Sequence, residues 1–551
     1  MYSKSIDKLG KTHKLALDTD VLVVGGGPAA LWAAMTAREQ GARVALVDKG
    51  FAGTSGVAAA ATAGHWWVEP QLRAQAIEAC FAGGGQLGQR SWMARVLELT
   101  WQRWPRLAAD IGHPNPSVHR GQGYRTVEGP VYLRALRRRV AHSGVRILDH
   151  APALELLVDS DGAVAGAAGL RRQQCRTWEI EAGAVVIATG GCAWRSASLG
   201  SNVNTGDGHL MGAEVGAHLS GLEFSNYYGV VPAGTTMDKN GLYPWATFSS
   251  IDNEVIATGW DPLVGAIGPD VFGASLIRAG QRGPLFAILD RATEAQRAAM
   301  RAAMPNYFMV FDRLGIDPFR ERFELGFVLE GTVRGTGGLA VMDEYCWTGV
   351  AGLWVAGDAA SRERIVGAAS GAGAANAAWT ISSGTWAGAA AAEHAAGLRR
   401  EGDRRPRRRL RPAGRTGLRP HGGSPALWRE LSLATQEELL PTAKNGLRHE
   451  RSMAPAAAQL ERLWQAAAAG LRGRDAREVV WARETAAMIA TGRWAYASAR
   501  ARTETRGMHV RDDFPQPDPE QRDRVESGGL DSIWTRRVAL DATAEAVAVA
   551  R

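Results

Sequence analysis

Cysteine is scarce. The 551 residues contain four, Cys80, Cys175, Cys192 and Cys346, far apart and never as C-x-x-C. That pattern argues against a disulfide framework, a zinc site or an iron–sulfur cluster in the chain, so no metal ligands are assigned. Reduced thiols point to the cytoplasm. No run of about 18 apolar residues occurs, so neither a transmembrane helix nor membrane insertion is expected. Met1 to Asp18 is polar and of mixed charge and lacks the apolar centre of a signal peptide. Aromatic residues are absent from the most basic stretch, Arg399 to Arg419, which holds ten arginines of a chain with net charge +8. Without interleaved rings to stack on bases, no nucleic-acid partner is expected there. A basic patch for an anionic surface is one reading. With Pro406, Pro412, Pro420 and several glycines, a solvated linker is the better one.

What is present is a large apolar fraction, 46% of residues, with 66 glycines, enough for several domains of α/β type. The stretch from Thr19 to Gly50 organises them. Val21 to Val24 is β-branched and apolar, as a buried parallel strand should be. Gly25, Gly27 and Ala30 follow in the spacing G-x-G-x-x-A, an alanine-rich helix runs to Gly41, and a second strand ends at Asp48. Gly25 allows the tight turn, Gly27 lets a pyrophosphate approach the backbone, and Ala30 lets the helix pack close to the sheet. The helix N-terminus attracts phosphate. Asp48, about 20 residues beyond the glycines, can accept from ribose hydroxyls. This unit alone does not separate FAD from NAD.

Further along, Phe51 to Gly64 is a small-residue loop that can lie against a flat ring. Ala153 to Glu181 reads as an antiparallel meander, and Ala184 to Ile187 as a return to the parallel sheet, closed by Thr189-Gly190-Gly191. Asn204 to His209 opens a helix. Gly221 to Gly331 reads as a separate module, Leu353 to Asp358 as a short strand ending in an acid, and Ala368 to Ala396 as one long helix of small residues. Ser424 to Arg506 is mostly helical.

Several separated motifs occur in one order: the Gly25 turn, Ser55-Gly56, Ala188 to Gly191, Thr205-Gly-Asp-Gly208, Gly337-Gly338, Ala356-Gly357-Asp358 and Thr505 to Pro515. Together they make the chain resemble, from about Thr19 to Pro515, the flavoprotein subunits of the succinate dehydrogenase/fumarate reductase family, which includes L-aspartate oxidase and adenylylsulfate reductase α subunits. The resemblance implies an α/β fold: a Rossmann-like FAD-binding domain with an inserted α+β capping domain and a C-terminal helical domain. Its parts would be residues 1–220 and 332–397 for FAD binding, 221–331 for the cap, 398–423 for the linker and 424–551 for the helical domain and tail. It implies FAD as cofactor, with Gly25, Gly27, Pro28 and Ala29 at the pyrophosphate, Asp48 and Lys49 at the adenosine ribose, and Ser55 and Gly56 beside the flavin. Thr189, Gly190, Asp207, Gly357 and Asp358 complete the set, with Asp358 on the ribityl chain. Gly56 occupies the place of the family's flavin-linking histidine, so the FAD is expected to be non-covalent.

The substrate side departs from the family. Tyr228 stands at one substrate histidine, Val333 at another and Ser370 at a substrate arginine, and the cap's arginine motif is missing. Those losses argue against fumarate or succinate, because two carboxylates need several fixed cations. Arg334 and Tyr228 are the catalytic candidates; a domain-interface arginine and a packed aromatic are the bland alternatives. Arg362, Glu363 and Arg364 either line the site or form a solvated turn. The 19 tryptophans, among them Trp66, Trp67 and Trp194, suggest an aromatic pocket or ordinary packing. The expected activity is a FAD-dependent oxidoreductase that moves hydride between flavin N5 and a small organic substrate. A ferredoxin-like iron–sulfur partner fits an adenylylsulfate-reductase-like complex, and a non-catalytic flavin sensor is the rival of another class.

Overall fold

The computed structural model describes residues 14–54, 56–112, 126–238, 241–258, 273–370, 374–402, 409–418 and 427–540. The expected Ser55 contact and, within the arginine-rich stretch, residues 403–408 and 419 fall outside them. Strand β1 (Leu15–Val24), helix α1 (Pro28–Glu39) and β2 (Val44–Val47) form the opening unit, and β3 (Arg146–Leu148) extends it, all parallel. β4 (Ala153–Val158) and β5 (Val164–Arg171) lead antiparallel into β6 (Arg176–Ile187). The expected meander and return strand are thus joined by one continuous twelve-residue strand. Arg176 to Glu181 pairs antiparallel with β5 on one edge, and Trp178 to Ile187 lies parallel to β1 on the other.

The chain then builds a second, antiparallel sheet: β7 (Tyr227–Pro232), β8 (Thr247–Ser250), β9 (Leu285–Ile288) and β10 (Phe323–Gly331), in the order β7-β10-β9-β8. It has its own core, where Phe248, Tyr307, Phe308, Phe311 and Phe323 pack together. β11 (Leu353–Val355) returns to the first sheet beside β6, in parallel.

Helix α2 (Ala374–Gly402) covers that sheet against α1. Its small residues have a reason. A Cβ on Gly384 would lie 2.5 Å from the Ala29 carbonyl oxygen, and one on Gly388 2.3 Å from that of Ala33, so the two helices touch backbone to backbone. The helix expected from Ala368 starts later. The Ala368 N–H donates to Gly84 O at 2.9 Å and its carbonyl accepts from Met508 N at 3.0 Å, which holds the segment as a buried loop. Among the described residues no helix is long and apolar enough to cross a membrane.

The C-terminal helices α3 (Leu427–Leu439), α4 (Glu450–Gly470) and α5 (Ala476–Ala501) pack on one another, and α5 docks on the first sheet's helices through buried charge. Arg483 donates to Glu214 Oε1 at 2.7 Å and to Thr416 O at 3.1 Å, with both charged side chains almost fully buried. Breaking such a pair strands the other charge. Arg483→Met therefore costs about 3–5 kcal/mol, read as a lowered midpoint in thermal and urea unfolding. The double variant Arg483→Met/Glu214→Leu recovers most of the loss.

Candidate functional site

The turn after β1 is held by Gly25 N donating to Val47 O at 2.8 Å. Gly25 has φ +129°, and a Cβ there would sit 2.1 Å from Ala188 O. Only glycine fits this position. Gly27 differs. It is the N-cap of α1, offers no side-chain cap, and a Cβ on it would meet nothing within 4 Å. The backbone there faces open space, with the first turn of α1 and Pro28 at its start behind it.

That space is a cavity of ≈ 350 Å³. Around it the fold gathers Gly25, Gly27, Pro28 and Ala29 from the first turn, Asp48 and Lys49 from the end of β2, and Gly56 from the small-residue loop. Thr189 and Gly190 follow β6, Asp207 begins the helix Asp207–Glu214, and Gly357 and Asp358 follow β11. A Cβ on Gly56, like one on Gly27, would meet nothing within 4 Å. Glycine turns, a helix start and ribose-accepting carboxylates line the same space, so the residues present fit a dinucleotide.

Charge is concentrated at the β2 end. Asp48, buried, accepts from Gly50 N at 2.9 Å. Lys49 Nζ donates to Asp207 at 2.8 Å, Thr205 Oγ1 at 3.1 Å and Glu484 at 3.1 Å. Burial opposes the Lys49 charge, but Asp207 and Glu484 more than offset it and raise its pKa. Burial likewise pushes Asp207 towards its neutral form, and Lys49 overrides it, so this carboxyl is held below its usual value. Arg195 contacts the other oxygen of Glu484. At the opposite end, burial raises Asp358 although Arg362 and Arg334 pull it down. His209, fully buried, is pushed down to about 4 and stays neutral.

Arg362 is buried, not solvated, and its two Nη groups are engaged. It pairs with Asp358 at 2.5 Å and donates to the carbonyls of Thr332 at 3.2 Å and Val333 at 2.7 Å, and to that of Gly335. Arg334 is half-buried. Its guanidinium lies 4.9 Å from the Tyr227 ring centroid, with Nη2 3.5 Å from the Tyr227 hydroxyl. Burial works against its charge, while Tyr227, Glu330, Asp238 and Asp358 raise its pKa. Tyr228 points elsewhere: its hydroxyl donates to Leu439 O at 3.2 Å and Pro441 O at 3.3 Å, deep in the core. Alternation along β7, with a bulge between the two tyrosines, puts Tyr227 rather than Tyr228 beside Arg334. Neither Arg334 nor Tyr228 lines the cavity itself; Arg334 adjoins it through Asp358.

Of the two readings of the tryptophans, a pocket or ordinary packing, the structure shows packing. Trp67 stacks on Trp101 at 4.0 Å, Trp194 donates to Met488 O at 3.0 Å, and Trp66 is packed against the main core. Reasoning from sequence missed Arg195, Trp481 and Glu484, all in the cavity lining. Glu484 is 435 positions from Lys49 and stands in no motif, so no local signal marks it.

Residues 20–242 match the family described as "FAD binding domain", and residues 442–543 that described as "Fumarate reductase flavoprotein C-term". The L-aspartate oxidase of Mycobacterium tuberculosis is 30% identical over 449 residues, which is 80% of this chain and 77% of that one. The urocanate reductase of Eggerthella lenta is 27% identical over 258 residues, 39% of this chain, and the match spans 41% of that relative's length. Among solved structures, the quinol fumarate reductase subunit FrdA of E. coli superposes with a TM-score of 0.77 at 18% identity, covering 96% of this chain and 97% of that one. At that identity the likeness establishes the fold.

The two glycines make opposite predictions. Gly27→Val leaves the folded protein intact and fills the space before the helix. It weakens FAD binding at least ~10-fold, about 1.4 kcal/mol, measured by titrating cofactor-stripped protein. Gly25→Ala drives its Cβ into the Ala188 carbonyl and lowers the yield of folded protein itself, seen by circular dichroism.

Proposed function

Because this chain belongs to the succinate dehydrogenase/fumarate reductase flavoprotein family, whose members are FAD-dependent oxidoreductases, we propose that it oxidises or reduces a small organic substrate other than fumarate or succinate. The observation that carries this reading is the placement of Arg334. Its charge acts on Asp358, at one end of the cofactor cavity, and it is flanked by Val333 and Gly335, whose carbonyls hold Arg362 against that acid.

FAD, when bound, supplies the hydride chemistry. The chain's own residues do the rest. The backbone at Gly27 and the start of α1 bind phosphate, Asp48 accepts from ribose hydroxyls, and Asp358 accepts from the ribityl chain. Arg334 holds one anionic group of the substrate. Tyr227 takes the proton-handling role that strand parity denies to Tyr228. Burial raises its pKa, Arg334 draws it down, and Glu330 and Asp238 push it up again, so the hydroxyl is protonated at neutral pH and can donate. A second substrate carboxylate is disfavoured, because Glu330 and Asp238 are the charges facing Arg334 from the cap side. The FAD is non-covalent. Gly56 offers no linking atom, and His65 is fully buried and stacked at 4.0 Å on Trp104. We place the protein in the cytoplasm and the electron acceptor outside this chain, with a ferredoxin-like protein as its natural class.

Acid precipitation should release all the flavin into the supernatant; flavin remaining on the peptide overturns the non-covalent reading. Anaerobic loss of the visible flavin absorbance with amino acids, aromatic acids, sulfur-containing anions or succinate identifies an electron-donating substrate, and return of the absorbance when reduced flavin meets fumarate or another oxidised acid identifies an electron-accepting one. With that substrate, Arg334→Leu lowers kcat/KM by ~10²-fold or more. Tyr227→Phe lowers kcat, and Tyr228→Phe stays close to the parent. Bleaching by succinate alone, or reoxidation of the reduced flavin by fumarate alone, overturns the proposal.

A further inference from the structure

One wall of the cofactor cavity comes from a part of the chain that neither the glycine fingerprint nor the matched FAD-binding segment contains. Trp481 and Glu484 stand one turn apart on α5 and both line the cavity. Glu484 is shared between two cations. Its Oε1 accepts from Lys49 at 3.1 Å and its Oε2 contacts Arg195, and all three side chains are largely buried.

Arg195 needs such a partner. It and Trp194 are both in the left-handed backbone region, at φ +53° and +49°, a conformation that costs a non-glycine residue about 1–3 kcal/mol. The C-terminal helices hold it there. Gln436 Nε2 on α3 donates to the carbonyls of both residues at 2.9 Å, and Trp194 Nε1 donates to Met488 O on α5 at 3.0 Å. Trp481 is itself fixed, 4.5 Å from the Trp428 ring, with the Arg477 guanidinium 4.2 Å from its centroid. Lys49 directly follows Asp48, so this cluster sits at the adenosine end of the site.

We propose that α5 is part of the FAD-binding site. Glu484 is a positioning residue that holds Lys49 and Arg195 towards the adenosine diphosphate half of the cofactor, and Trp481 gives that half an aromatic face. Cofactor retention then depends on the docking of the C-terminal helices, although the fingerprint lies entirely in the first sheet. The inference rests on the FAD reading above.

The test uses the full chain, stripped of flavin, and two probes: FAD, and ADP as its competitor. ADP carries the adenosine diphosphate half alone. Glu484→Gln and Trp481→Ala should each raise the FAD Kd at least ~10-fold and raise the ADP inhibition constant by a similar factor. Glu484→Asp and Trp481→Phe, which keep the charge and the ring, should lie between parent and full variant. They supply the same comparison if the harsher substitutions do not fold. Parent-like FAD affinity in the variants overturns the proposal, as does weakened FAD binding with ADP inhibition unchanged. Failure of the parent protein to bind FAD overturns the underlying cofactor reading instead.

Discussion

The cofactor site depends on one close approach of backbone to backbone: Gly25, at the end of β1, against the carbonyl of Ala188, at the end of β6, where any Cβ would lie 2.1 Å from the oxygen. The contact brings together strand ends that are far apart in sequence and aligns the turn after β1 with the Thr189-Gly190 turn after β6. Everything that lines the cavity is referred to that corner. Asp48 arrives on the neighbouring strand and Asp358 on the strand beyond β6. Gly27 can leave room for a ligand because Gly25 has already closed the turn.

Around this corner the chain uses arginine as its structural cement. Arg483, Arg502, Arg448 and Arg511 are almost fully buried, each with carboxylate or carbonyl partners that replace water. A buried guanidinium is costly unless its donors are spent. Here they are spent between segments remote in sequence: Arg502 reaches Glu223, and Arg448 reaches the Glu223 carbonyl. The C-terminal helices are thereby tied to the Leu222–Phe224 turn and the Asp207–Glu214 helix by directional contacts as well as apolar packing. A composition rich in arginine, most conspicuous in the linker, thus also supplies a small set of internal ties.

How much of this could be read from sequence follows from the range of the physics involved. The opening unit was legible because its causes are local: β-branched strand, turn glycines, helix start and terminal acid all lie within about one βαβ unit. The other positions gathered around the cavity were legible through the family resemblance, whose motifs are short turns with glycines of their own. The choice between Tyr227 and Tyr228 was not legible. A one-residue bulge against β10 decides which side of the sheet each ring takes, and that bulge is set by the partner strand. The late start of α2 escaped for a similar reason, since the Ala368 backbone is claimed by Gly84 and Met508. Glu484 has no motif, and its role exists only once α5 is docked. The tryptophans take the plainer of their two readings, ordinary packing, since a count of rings says nothing of where they lie.

Arg362 joins two functions in one rigid part. Its guanidinium grips the Asp358 carboxylate on the cofactor side and the carbonyls of Thr332, Val333 and Gly335 on the other, the residues that bracket Arg334. Asp358 cannot shift without carrying the peptide on which Arg334 is mounted, and a pull on Arg334 is felt at the acid. The spacing between the Asp358 carboxylate and the Arg334 backbone is therefore set by a single planar strut, made within one short stretch of chain.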